Sequence, residues 1–194
     1  MVDAWRWPPE ETTRSPHELL ALLVAEKVTV LCQTPSALRG LTAVLAREPA
    51  AREALALRVV ILGGEALTAA DVAGWFAVFG ADGPRLVNMY GITETTVHTT
   101  YRPVLPADAA ERAGSPIGGP LDDVTLYVLD GELAPVAEGI PGELYVGGAG
   151  VTRGYLGLPS AHRAAVPARS VQRATRRPDV PQRRPGAPHR RRRV

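Results

Sequence analysis

Three short apolar runs set the terms for this chain: Val28-Thr-Val-Leu-Cys32, Leu57-Arg-Val-Val-Ile-Leu62 and Leu86-Val-Asn-Met89. The middle run is β-branched at its centre and stops at Gly63-Gly64. Runs this short, bounded by turn residues, predict buried parallel strands. Helical text lies between and before them. Ser15-Pro16-His17-Glu18 offers a capping serine, a proline at the first helical position and an acid at the third. The helix it starts reaches about Glu26, with Leu19, Leu20, Leu22 and Leu23 on the buried side. Pro35 opens a second helix over Ser36 to Arg47, and Thr68 caps a third over Ala69 to Phe79. This alternation predicts right-handed βαβ units and an α/β layer.

The third run continues into text that no core strand needs. Asn88 is followed by Tyr90, Gly91, Thr93 and Glu94, then by Thr95-Thr-Val-His-Thr-Thr100. A strand that runs into glycine, hydroxyls and a carboxylate places polar groups at the carboxyl edge of a sheet. Open α/β sheets bind ligands there.

After Thr100 proline and glycine become dense, as in Gly114-Ser-Pro-Ile-Gly-Gly-Pro120. Val124 to Leu129 alternates as a strand, Asp130-Gly131 and Pro141-Gly142 are turns, and Glu143 to Gly147 is a returning strand. Gly147-Gly-Ala-Gly-Val-Thr-Arg-Gly-Tyr155 has the glycine content of a phosphate loop but not its Gly-Lys-Ser/Thr ending. A turn where backbones cross closely is the favoured reading.

Periodicity stops near Leu158. Residues 158–194 carry 11 arginines against the single acid Asp179, a net of +10, while the preceding part carries −8. With six prolines and no aromatic, the tail is expected to be disordered. Arg190-Arg-Arg-Arg193 has no aromatic interleaved with it, so a nucleic-acid role is not expected. Arg, Pro and Ala are what a GC-rich gene yields when read out of frame, so a frame slip near Leu158 is the preferred explanation. The expected organisation is an unplaced stretch 1–9, an α/β layer 10–100, a β-rich part 101–157 and a disordered tail 158–194.

No apolar run approaches the roughly 20 residues of a membrane-spanning helix, and the start has no apolar stretch of a signal peptide. Cys32 is the only cysteine, so no intrachain disulfide can form. A cytoplasmic setting without membrane contact is expected.

Asn88-Met-Tyr-Gly-Ile-Thr-Glu94 resembles the nucleotide-binding signature of adenylate-forming enzymes, in particular the amino-acid adenylation domains of nonribosomal peptide synthetases. Three further stretches share the resemblance in order and spacing: Val28 to Ala37, Leu62-Gly-Gly-Glu-Ala-Leu67 and Gly142 to Leu156. The resemblance implies part of the large N-terminal subdomain of such an enzyme, followed by a small β region. It implies ATP and Mg²⁺ as cofactors, an amino acid as substrate and a carrier-protein domain as partner. Thr93 and Glu94 would be catalytic, with Glu94 the metal ligand. Gly63, Gly64, Glu65, Asn88, Tyr90, Gly91 and Thr93 would bind the nucleotide. Cys32, Ile61, Gly63, Met89, Val97 and His98 would line the side-chain pocket. That lining is similar to threonine-activating domains, except that Cys32 replaces the usual asparagine; serine or a modified threonine stays open.

Some family parts have no counterpart in these residues. They are a phosphate loop ending in Gly-Lys, the pocket aspartate for the substrate amine, a ribose-binding Arg-Thr-Gly-Asp after Tyr155 and the catalytic lysine. Lys27 is the only lysine. Losing groups that stabilise developing phosphate charge costs several kcal/mol of barrier each, so the chain alone is expected to be inactive. Two other readings stand beside the amino-acid-activating segment. One is a truncated, non-catalytic interaction or nucleotide-binding module; the other is a ligase acting on a different carboxylic acid.

Overall fold

Ser15 starts the first long helix. In a computed structural model describing residues 9–110, 114–156 and 172–174, its hydroxyl accepts the Glu18 amide at 3.4 Å and Pro16 occupies the first turn of a helix. That helix, α2 (Pro16–Ala25), follows a single turn, α1 (Glu10–Arg14). Thr34 caps α3 (Pro35–Leu45), accepting from the Ala37 amide. A short α4 (Pro49–Glu53) follows, which the sequence pattern does not predict. Its five residues are too few to establish a helical period, and its one signal is Pro49 at the first position. Thr68 and Asp71 form a reciprocal capping box at the start of α5 (Ala69–Phe79).

The strands are β1 (Val30–Gln33), β2 (Val59–Leu62) and β3 (Arg85–Asn88), paired in parallel in the order β1-β2-β3. Cys32 lies opposite Ile61, and Ile61 opposite Val87. The sheet then departs from the expected layer. β4 (Thr100–Val104) returns antiparallel along β3, and β5 (Gly119–Pro120) pairs antiparallel with β4. The loop after β3 reverses the chain, so β4 belongs to the first sheet and straddles the expected boundary at residue 100.

Helices α2, α3 and α5 cover one face of this sheet. Their Leu20, Leu23, Leu38, Leu41, Val72 and Trp75 pack with Val60, Leu62 and Leu86 in one core. Trp75 is fully buried and donates its indole N–H to the Pro84 carbonyl at 3.2 Å. The opposite face is different. Val59 and Ile61 are only half-buried, and Val30 is 54% exposed. β2 is therefore buried on one side only, where a strand buried on both sides is expected, because no described residues form a layer over its second face.

A second sheet holds β6 (Val124–Leu129), β7 (Glu143–Gly148) and β8 (Gln172–Ala174), all antiparallel. β6 and β7 match the predicted hairpin. The Asp130 side chain closes its first turn by accepting the Glu132 and Ala134 amides. β8 lies within the stretch expected to be disordered; it forms because Leu144 to Val146 of β7 leave one edge free for pairing. The rest of that tail, and residues 1–8, lie outside the described residues. Among the described residues no helix is long and apolar enough to cross a membrane.

Candidate adenylate-binding site

The loop from Met89 to Thr99 sits at the carboxyl ends of β2 and β3, and its shape follows from three backbone constraints. First, the Tyr90 carbonyl accepts the amides of Thr99 (2.7 Å) and Thr100 (3.1 Å) and the Thr99 hydroxyl (2.8 Å). The Thr100 hydroxyl accepts the Tyr90 amide at 3.2 Å. Both threonines are fully buried, so the start and end of the loop are latched together at Tyr90. Second, Thr93–Thr95 form one 3₁₀ turn, closed by the buried Thr95 hydroxyl on the Ile92 backbone. Third, Thr96 and Val97 take φ of 55° and 72°. A left-handed β-branched residue is costly, and such strain gathers at functional loops.

The tight fold makes Gly91 obligatory. A Cβ there would stand 2.1 Å from the Val97 carbonyl oxygen and 2.9 Å from the His98 Cα. The chain therefore doubles back against residue 91 and delivers His98 onto β2. A Cβ on Gly63 would meet His98 Cε1 at 3.3 Å and the Met89 carbonyl at 3.2 Å. Gly63, Met89 and His98 thus converge, and Ile61 and Cys32 continue the same line across β2 and β1. Val97 does not join them; it is 62% exposed. Burial disfavours the charged imidazole and holds the His98 pKa below the usual histidine value.

Asn88 is buried, and its amide nitrogen donates to the Pro116 carbonyl at 2.8 Å. That partner fixes the amide orientation and leaves its oxygen for any other donor. Ser115, next to it, accepts the Leu67 amide at 2.9 Å, so the 114–118 loop anchors the strand ends. Glu65 is engaged differently from a nucleotide contact. Its two carboxylate oxygens accept the Ser36 hydroxyl (2.8 Å) and amide (3.0 Å) at the start of α3. Those bonds hold its pKa below the ordinary carboxylate range. Gly64 carries the turn between them at φ 81°.

Thr93 is exposed and Glu94 half-buried. The Tyr155 hydroxyl donates to a Glu94 carboxylate oxygen, and the Thr152 amide donates to the Glu94 carbonyl at 2.8 Å. Among the described residues no three His, Cys, Asp or Glu side chains gather to hold a metal ion. Mg²⁺ is commonly held by one or two carboxylates together with substrate phosphates. A lone accessible carboxylate beside hydroxyls fits an ion that arrives with a nucleotide.

An open cavity of about 560 Å³ lies elsewhere, at the amino ends of β2 and β3. Arg52, Leu55, Arg58, Phe79 and Arg85 line it, and none of the expected site residues does. The sequence pattern gave no sign of the Pro116, Thr99, Thr100 and Tyr155 contacts. Only the Pro-Gly density around Ser115 and the threonine run marked those places.

A family model described as "AMP-binding enzyme" matches residues 5–156. The chain belongs to the AMP-binding enzyme family. A dimodular nonribosomal peptide synthase of Bacillus subtilis is 50% identical over 151 residues, which is 78% of this chain and 6% of that protein. Among solved structures, CmiS6 matches 86% of this chain and 41% of its own, with a TM-score of 0.72 and 28% identity. The N-terminal subdomain of Klebsiella oxytoca NpsA, in complex with 3-hydroxybenzoyl-AMSN, matches 89% of this chain and 42% of its own, with a TM-score of 0.65 and 20% identity. The chain thus has the fold of the N-terminal subdomain of adenylate-forming enzymes, and it spans a small part of the synthetase it matches.

Proposed function

We propose that this segment forms the nucleotide and side-chain half of an amino-acid-activating site in a nonribosomal peptide synthetase. In the reaction, an amino-acid carboxylate oxygen attacks the α-phosphorus of ATP. The bond to the leaving pyrophosphate breaks, giving an aminoacyl-adenylate for transfer to a carrier-protein domain. The observation that carries the reading is the convergence of His98 on Gly63 and Met89 at the carboxyl edge of the sheet.

Each residue then has a task. Tyr90 offers a ring face for the adenine, and the Asn88 amide oxygen accepts from its amino group, since the amide nitrogen is committed to Pro116. Thr93 donates its hydroxyl to the α-phosphate. Glu94 supplies the carboxylate for Mg²⁺, which neutralises phosphate charge when bound. Gly63, Gly64 and Gly91 keep backbone close to the ligand, while Glu65 anchors their loop to α3. His98, kept neutral by burial, offers one ring nitrogen as an acceptor and the other as a donor. That suits a short hydroxylated side chain, which needs a partner when buried. Threonine is the preferred substrate, with Cys32, Ile61 and Met89 forming the apolar wall. A cytoplasmic location accompanies this reading.

The test is ATP–pyrophosphate exchange by the intact protein that carries this segment, with a panel of amino acids. Threonine-dependent exchange supports the proposal. Exchange with an aryl or fatty acid only would refute the amino-acid reading; exchange with another amino acid only would refute threonine.

A further inference from the structure

We propose that Tyr155 is a positioning residue for Glu94, and that the glycine-rich segment ending in it is a clasp on the 93–98 loop. The proposal rests on the adenylating reading above, which leaves this segment without a task.

The segment leaves β7 pressed against the start of β6. At Gly148, φ is 123°, and a Cβ would stand 2.2 Å from the Asp123 carbonyl. It then crosses the Glu94 loop. The Thr152 amide donates to the Glu94 carbonyl at 2.8 Å. The Thr96 hydroxyl donates to the Gly150 carbonyl at 2.7 Å. A Cβ at Gly150 would stand 3.4 Å from the Thr95 carbonyl. Finally, the Tyr155 hydroxyl donates to Glu94 Oε1. These bonds join residues 54 to 61 positions apart. They also argue against a phosphate cradle, because the Val151 and Thr152 amides are already taken, by Gly148 and Glu94. Two of the bonds fix the strained backbone around Thr96. The third fixes the carboxylate, with one oxygen held by a neutral donor and the other left for a cation. A carboxylate on a free three-bond stem would have to be ordered during each ligation; one already hydrogen-bonded does not.

The test uses Tyr155→Phe, which removes one hydroxyl from a residue 42% exposed. In the intact protein, the Mg²⁺ concentration for half-maximal pyrophosphate exchange should rise by roughly threefold to tenfold, the range of one ordinary net hydrogen bond at a part-exposed site. The amino-acid KM should shift by less than about twofold, since no pocket contact changes. An unchanged Mg²⁺ dependence overturns the positioning role. In the 194-residue chain, amide hydrogen exchange across residues 93–98 should accelerate in Tyr155→Phe. In a Glu94→Ala background the same substitution should add nothing; unchanged exchange, or additive effects, overturns the clasp. A wild-type protein that exchanges pyrophosphate with no amino acid sinks the adenylating reading, and the hydrogen-exchange arm then still decides the clasp.

Discussion

Gly91 and the Val97 carbonyl are so close that a methyl group on residue 91 would stand 2.1 Å from that oxygen. The obstacle is backbone, which cannot rotate away. Gly91→Ala should therefore force the loop open. The expected loss is roughly 1–3 kcal/mol, the usual cost of overpacking. Chemical denaturation measures it, and a stability within 0.5 kcal/mol of wild type, the scatter of neutral surface changes, would show that the loop folds otherwise.

Gly63 is more forgiving, and that difference is useful. A methyl group there meets the Met89 carbonyl oxygen at 3.2 Å and His98 Cε1 at 3.3 Å, overlaps that a shift of a few tenths of an ångström relieves. Gly63→Ala should keep its stability within about 1 kcal/mol. In the intact protein it should lower kcat/KM for the amino acid by about tenfold, because it fills the pocket floor. Steady-state exchange kinetics with variable amino acid would show this.

Much of this was legible in the chain itself, and the reasons are local. Ser15, Thr34 and Thr68 cap helices through bonds within three residues. The three apolar runs pair in parallel because alternation with helices leaves few other topologies. What stayed hidden depends on distant partners. β4 contains Pro103, which reads against a strand inside a sheet, yet it lies opposite Val87. The Asn88–Pro116 and Glu94–Tyr155 bonds span 28 and 61 residues, and no sequence period reports a bond of that kind. The resemblance of Leu62 to Leu67 implies a nucleotide contact for Glu65, and no local pattern signals that its oxygens accept from Ser36, 29 residues away.

Arg39 and Asp71 tie α3 to α5 by two bonds, at 2.7 and 3.2 Å. Burial alone would raise the Asp71 pKa. Hydrogen bonds from Arg39 and Thr68 outweigh it and keep the carboxyl below its ordinary range. A carboxyl depressed in the folded state stabilises above its unfolded pKa, about 4, and loses that contribution as pH falls through the folded value. Asp71→Asn should cost about 1–3 kcal/mol at pH 7. The gap to wild type should narrow as pH falls below the unfolded value and through the depressed folded one.

His98 acts in a higher window. Its folded pKa is depressed by burial, so the unfolded chain binds more protons between the folded value and the unfolded value, about 6.5. Stability should fall as pH drops below about 6.5, and His98→Asn should flatten that part of the curve while leaving the Asp71 window intact. Urea midpoints at pH 7.5 and 5.5 would separate the two; parallel curves would mean that His98 is solvated.

The 194-residue chain by itself should release no pyrophosphate and form no aminoacyl-AMP with any amino acid, because it brings neither a Gly-Lys phosphate loop nor a lysine in the catalytic context. A coupled pyrophosphate assay on the purified chain would reveal any turnover, and turnover would require another source of charge stabilisation.

On the proposed function, an aminoacyl-adenylate sits on the Asn88–Thr100 loop. The most direct measurement is a crystal structure of the intact protein with a non-hydrolysable threonyl-adenylate analogue. The adenine should lie against Tyr90, with its amino group on the Asn88 oxygen and the threonyl hydroxyl within hydrogen-bond distance of His98. An analogue seated away from this loop, or one with its side chain outside the Gly63–Met89–His98 corner, would contradict it.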